Sequence, residues 1–213
     1  MAKADGMVEG KPQKARPEAG RAECLRSRES LEVRIESFES LSDYSRIPIR
    51  FSVCRIYHVV DDQLVEATVP EPWETDYDLQ AGHSPVDLPR RFDVSSWGCL
   101  TAWLAEERVG GALVAWNTPG VDMLEGRDDL AVLWDLRVAP RARGMGAGTA
   151  LFSAVEAWAR ARGCCELKVE TQNVNVPACE FYQRQGCRLS QVRRDAYPDL
   201  PGEIQLIWSK ALT

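Results

Sequence analysis

The chain has little of what marks a metal protein, a membrane protein or a nucleic-acid binder. Histidine occurs only twice, at His58 and His83, on separate segments, so a metal site would need carboxylates from elsewhere in the chain. The seven cysteines (24, 54, 99, 164, 165, 179 and 187) are odd in number and contain no C-x-x-C pair. They fall mostly in apolar runs and read as reduced, buried small hydrophobes rather than disulfides or zinc ligands. No apolar run approaches the roughly 20 residues of a membrane helix, and the N-terminus lacks the apolar stretch of a secretory signal. The expectation is a cytoplasmic protein without a membrane partner. An excess of positive charge is missing too: 26 Lys and Arg against 32 Asp and Glu leave −6, which argues against a nucleic-acid partner.

What is present is a chain of 213 residues, 45% apolar and 27% charged, enough for one core with an appendage. Residues 1–29 have almost no aliphatic periodicity and read as a flexible tail; residues 30–213 then form one domain. Charge is unevenly spread. From Ile56 to Pro89 there are eight acids and no Lys or Arg, whereas Arg137, Arg141 and Arg143 lie within seven acid-free residues. The first stretch favours a cation and the second an anion.

Alternation predicts strands over Leu31–Phe38 and Ser52–Val60. Four prolines and many acids make Val69 to Asp93 a long irregular segment. Cys99–Ala105 and Val109–Trp116 form a hairpin around Glu106-Glu107-Arg108. Leu130–Val138 is a buried strand stopped by Pro140. Gly144–Arg162 is a helix closed by Gly163, with Leu151, Ala154, Val155 and Trp158 at helical spacing. A strand over Glu166–Glu170, a helix over Pro177–Gln185, and strands over Cys187–Val192 and Glu203–Trp208 complete an α/β domain with a mixed sheet.

The segment Val138-Ala-Pro-Arg141-Ala-Arg143-Gly144-Met145-Gly146-Ala147-Gly148 joins the buried strand to the helix. Glycine lets backbone approach a ligand, and the first helical turn offers unpaired N–H groups at the positive end of the helix dipole. A pyrophosphate suits such a bend. The P-loop spacing is absent. The Rossmann fingerprint fails as well, because its third glycine comes too early and only 43 residues follow Glu170, too few for the rest of a doubly wound sheet.

The run R-x-x-G-x-G at Arg141, Gly144 and Gly146 resembles the acyl-CoA pyrophosphate motif of the GNAT N-acetyltransferase superfamily. N-x-x-A-x-x-F-Y-x-x-x-G at Asn175, Ala178, Phe181, Tyr182 and Gly186 is similar to its second signature. Within the superfamily, Glu170-Thr171-Gln172-Asn173-Val174-Asn175 with a later Tyr197 and Glu203-Ile204 resembles the streptothricin acetyltransferases. The resemblance covers roughly Gly98 to Trp208. It implies a mixed, mostly antiparallel central sheet flanked by helices, and acetyl transfer from acetyl-CoA to a primary amine. It further implies a grip on acetyl-CoA by Leu136, Arg137, Val138, Arg141, Arg143, Gly144, Met145, Gly146, Ala147, Gly148 and Thr149, joined by Asn175, Ala178 and Tyr182. The pantetheine arm would bond the backbone of Leu136 and Val138, and Tyr182 would be the general acid.

An ammonium needs a base before it can attack a thioester. Asp135, near the carbonyl-binding end of the central strand, is the first candidate and Glu170, ending the next strand, the second. The related antibiotic acetyltransferases usually carry an acid where this chain has Trp134. Asn175 has a second role open to it, as helix cap ahead of Pro177. Cys164 and Cys165 have no histidine nearby in sequence, so direct transfer in a ternary complex is expected rather than an acyl-enzyme. Trp73, Glu74 and Tyr77 in the acidic stretch are expected to bind a cationic small-molecule amine, with Trp134 and Tyr197 as further substrate contacts. The alternatives are a protein lysine or N-terminus as acceptor, or an inactive acyl-CoA-binding module. A monomer or a homodimer fits equally.

Overall fold

Strands buried on both faces read as continuous apolar runs, and the central strands of this chain do so. The computed structural model describes residues 30–61, 63–80 and 82–212; the expected tail lies outside them. Strands β1 (Leu31–Glu36), β4 (Gly98–Leu104), β5 (Glu107–Trp116), β6 (Leu130–Val138), β7 (Glu166–Gln172), β9 (Gln205–Ala211) and β8 (Arg188–Arg193) form one sheet in that spatial order. Every adjacent pair is antiparallel except β6 and β7. A hairpin of β2 (Phe51–Val60) and β3 (Gln63–Thr75) makes a separate two-stranded sheet.

The crossover between the parallel strands is helix α3 (Ala147–Arg160), which buries Leu151, Phe152, Val155, Trp158 and Ala159 at helical spacing. It packs with α4 (Val176–Arg184) on one sheet face over Leu100, Ala112, Val114 and Leu133. The opposite face, carrying Leu113, Leu130 and Val132, is covered by the single turns α1 (Leu41–Tyr44) and α2 (Leu88–Arg91) and by Trp97. Two close approaches fix these layers. A Cβ on Gly98 would meet the Trp158 ring at 2.7 Å, and one on Gly111 would meet the Tyr44 ring at 2.3 Å.

Three expectations need correcting. The irregular segment begins later than the prolines suggest, because β3 continues to Thr75. Val53 faces Trp73 but Arg55 faces Thr68, so Pro70 and Pro72 sit in a bulge opposite Cys54, where a missing N–H costs no ladder bond. Helix α3 begins at Ala147 rather than Gly144, because Gly144 and Gly146 hold φ of +77° and +92°, the left-handed region. Among the described cysteines, Cys99, Cys164, Cys179 and Cys187 are buried, but Cys54 and Cys165 are exposed. Gly111→Ala should lower stability by about 1–3 kcal/mol through overpacking against Tyr44, read as a reduced urea midpoint; an unchanged midpoint would show that the Tyr44 ring can move aside.

Candidate active site

The site starts from a fault in β6. Leu113 faces Asp135 and Val114 faces Leu133, so Trp134 is an extra residue in the ladder. A bulge reverses the alternation of faces beyond it. Ala131 and Leu133 pack beneath α3, and past the bulge Leu136 and Val138 take over that face. Asp135 and Arg137 therefore turn to the other face, beside Tyr44. Parallel pairing with β7 runs from Leu130 opposite Glu166 to Leu133 opposite Val169 and stops there, although both strands continue. The Ala139 N–H bonds the Val109 carbonyl at 2.8 Å. By antiparallel alternation, Asp135 and Arg137 then direct their backbone groups toward β5, and Leu136 and Val138 direct theirs into the gap left by β7. A cavity of about 880 Å³ fills that gap.

One end of the cavity suits an anion. The chain leaves β6 through a turn at Pro140–Ala142, and the two left-handed glycines carry it into α3. The first bond of α3 is from Ala150 N–H to the Gly146 carbonyl, at 2.9 Å, and no side chain caps the helix. The N–H groups of Ala147, Gly148 and Thr149 thus have no partner in the helix, at the positive end of its dipole. Gly148 serves close packing, since a Cβ there would lie 3.3 Å from the Phe181 ring. Arg143 lines the cavity and donates to the carbonyls of Val138 (3.1 Å) and Arg50 (3.3 Å). These donors and this cation fit the diphosphate of coenzyme A. Arg141 instead pairs with Glu107 at the surface, Met145 is exposed and Ala147 is buried in the first turn; none of the three side chains lines the cavity.

At the junction with the other end stand Tyr182 and Asn175. Asn175 caps α4 by accepting from Ala178 N–H at 3.3 Å, and both residues border the cavity. Tyr182 is buried against Phe152 and Phe181. Among the described residues nothing hydrogen-bonds its hydroxyl. Burial, reinforced by the charge of Asp135, pushes this phenol well above the usual tyrosine range, so it keeps its proton at neutral pH.

The two candidate bases differ sharply. Asp135 accepts from Tyr44 Oη at 2.6 Å, Arg137 Nε at 2.9 Å and Arg137 Nη2 at 2.6 Å, so both its oxygens are engaged. Glu170 accepts from the Tyr197 hydroxyl and, at 2.8 Å, from Gln205 Nε2, both neutral donors. Burial raises its pKa, against the lowering effect of those two bonds. Tyr77 lines the same cavity and donates to Glu203 at 2.8 Å.

Arg137 is buried, with a side chain 1% exposed. Besides Asp135, its guanidinium donates to Asp78 at 2.8 and 3.1 Å and to the Ile47 carbonyl at 3.0 Å. That guanidinium is committed inside the protein and is not available to an external anion. Trp134 borders the cavity and packs on Phe92 and Trp97, with centroids at 5.2 and 5.4 Å. Trp73 and Glu74 lie outside the cavity. They stand on the hairpin, where Trp73 Nε1 donates to Thr75 Oγ1 at 3.1 Å and Glu74 accepts from Ser52. The sequence carries no signal for Tyr44 and Gln205, which the structure brings to the candidate bases, or for Asp78, which it brings to Arg137. Asp78 lay in the acidic stretch, but the pattern carries no signal for the phase shift that points Arg137 toward it.

The family model described as "Acetyltransferase (GNAT) family" matches residues 58–187, more than half of the sequence. The chain belongs to the GNAT acetyltransferase family. This GNAT chain is 35% identical over 80 residues to streptothricin acetyltransferase A of Bacillus subtilis (strain 168), covering 37% of this chain and 46% of that protein. It is 29% identical over 115 residues to a streptothricin acetyltransferase of Escherichia coli, covering 52% and 60%. The chain thus spans about half the length of the curated relatives it matches. A crystal structure of nourseothricin acetyltransferase shares the fold with a TM-score of 0.68 at 23% identity, covering 86% of this chain and 99% of that one. A structure from Bacillus anthracis str. Ames in complex with acetyl coenzyme A does so with a TM-score of 0.70 at 21% identity, over the same shares. Arg143→Ala should weaken coenzyme A binding about 10- to 100-fold, the loss of a charge-assisted contact, with little change in melting temperature; calorimetric titration showing full affinity would take Arg143 out of the anion site.

Proposed function

We propose that this GNAT chain transfers acetyl from acetyl-CoA to a primary amine of a cationic small molecule, a streptothricin-type antibiotic being the sharpest candidate. The observation that carries this reading is one continuous cavity, bordered by an uncapped helix N-terminus at one end and by a desolvated carboxylate at the other, with Tyr182 on its wall. The family membership and the similarity to two streptothricin acetyltransferases support it.

Acetyl-CoA supplies an activated acyl group as a thioester. The N–H groups at the start of α3 and the Arg143 guanidinium hold its diphosphate, and the gap-facing backbone of Leu136 and Val138 lines the pantetheine arm as an added strand would. A backbone N–H fixed there also steadies the negative charge that develops on the acyl oxygen. Glu170 takes the ammonium proton, directly or through water. Its bonds are to neutral donors, so protonating it breaks no ion pair, and its desolvation makes it a better proton acceptor. Tyr182 keeps its proton until the thiolate departs and then donates it. Tyr77, Tyr197 and Trp134 offer aromatic surface beside carboxylates, which suits a cation.

The test is thioester consumption across polyamines, aminoglycosides, streptothricin and lysine peptides. Turnover with streptothricin supports the reading; turnover with peptides alone, or acetyl-CoA binding without turnover, overturns it. Glu170 must be ionised to act, so kcat/KM should fall as pH drops through a pKa above the ordinary glutamate value. Glu170→Gln should remove that limb and cost about 10²- to 10⁴-fold in rate. Tyr182→Phe should lower kcat more than acetyl-CoA affinity, and unchanged turnover would remove Tyr182 from the mechanism.

A further inference from the structure

Asn173 follows directly on β7, is only 3% exposed and does not line the cavity. It nevertheless makes four hydrogen bonds to two other parts of the chain. Its backbone N–H donates to the Ile204 carbonyl at 3.0 Å, and its Oδ1 accepts from the Ile204 N–H at 2.7 Å. Its backbone carbonyl accepts from the Tyr57 N–H at 2.9 Å, and its Nδ2 donates to the Tyr57 carbonyl at 2.9 Å. One side chain thereby serves as both donor and acceptor for two backbones, which an amide can do and a carboxylate or hydrocarbon of the same size cannot.

The two partners matter for what they carry. Ile204 lies between Glu203, which accepts from Tyr77, and Gln205, which donates to Glu170. Tyr57 belongs to β2, whose hairpin runs on through β3 to Tyr77. The acceptor wall is thus assembled from β7, the start of β9 and the segment after β3; Asn173 directly continues the first, bonds to the residue before the second and to the hairpin that delivers the third.

We propose that Asn173 is a positioning residue for amine binding: it fixes Ile204 against β2, so that Gln205 meets Glu170 and Glu203 meets Tyr77 in one arrangement. This rests on the proposed amine transfer. Asn173 does not line the cavity, and its effect falls on the amine end, because the donors of the anion end come from the turn after β6 and the start of α3.

The test uses the full chain with acetyl-CoA, and with streptothricin as the amine probe. Asn173→Ala should raise KM for streptothricin about tenfold, the cost of one or two lost buried hydrogen bonds, and leave KM for acetyl-CoA within about twofold. Combined with Gln205→Leu, its effect on kcat/KM should be less than additive, because both act on the same contact to Glu170. Asn173→Asp keeps the oxygen that Ile204 needs but turns a second oxygen toward the Tyr57 carbonyl, acceptor against acceptor. It breaks the β2 contact selectively and should show the same split between the two KM values. Equal changes in both KM values, full additivity, or a lower melting temperature with unaltered kinetics would overturn the proposal.

Failure of the wild type to consume acetyl-CoA with any amine would defeat the proposed activity instead. Hydrogen exchange in Asn173→Asp then reads the positioning by itself. Faster exchange at Tyr57 and across Glu203–Gln205, with Val169 unchanged, supports it; unchanged exchange at those sites overturns it.

Discussion

The guanidinium of Arg137 ties together β6, the segment after β3 and the chain after α1. It bonds both carboxylate oxygens of Asp135 on its own strand, Asp78 after β3, and the Ile47 carbonyl after α1, and it lies over the Tyr44 ring. Removing a charge from water costs several kcal/mol, which only close pairing and full hydrogen bonding offset. Here the geometry meets that condition, and it does so only because two carboxylates face one cation. Without the cation, Asp78 and Asp135 would repel each other, and the segment bearing Tyr77 would keep only its contact with Glu203 and the Phe51 ring. The wall opposite the cofactor strand depends on this one buried group.

The same strand opens the cavity through a second constraint. A parallel pair that separates leaves backbone groups without partners, and buried groups of that kind are rarely left unsatisfied. On β6 the groups that β7 no longer pairs belong to Leu136 and Val138, the Val138 carbonyl accepting instead from Arg143, and a few residues later come the uncapped N–H groups of α3. Both sets border one continuous space. An extended acyl donor with a carbonyl-rich arm and an anionic end is complementary to a row of backbone groups followed by a helix start, and in the proposed reaction the main chain of Leu136 and Val138 would supply that contact whatever their apolar side chains.

The sequence revealed those parts of the fold that are governed by local pattern. The sheet strands from β4 to β9 and both longer helices follow from apolar periodicity, and the cofactor loop from glycines whose positive φ the structure displays at Gly144 and Gly146. The roles of Asp135 and Arg137 were hidden because they depend on the bulge at Trp134. One extra residue against β5 turns the side chains beyond it to the opposite face, and nothing within β6 announces it. The reach of β3 was hidden for a similar reason, since Pro70 and Pro72 look like strand breakers until the register shows them in a bulge. Trp73 and Glu74 were misplaced with it: as residues of the hairpin they lie outside the cavity, and Tyr77, beyond the strand end, is the one that reaches it.

The aromatic ring at Trp134 gains a physical meaning from this arrangement. A base must accept a proton without giving up a stronger interaction. Asp135 could do so only by abandoning its pairing with a buried guanidinium, which would leave that cation short of a partner in a poorly solvated place. Among the described residues the Glu170 carboxylate is bonded only to Tyr197 and Gln205, both neutral, and its burial already disfavours the charged form. Two carboxylates sharing the amine end would raise each other's pKa and divide the proton between them. With an aromatic ring at position 134 and Asp135 held by Arg137, Glu170 is the one of the two candidate bases left to accept the proton in the proposed reaction, at the end of the strand that Asn173 secures.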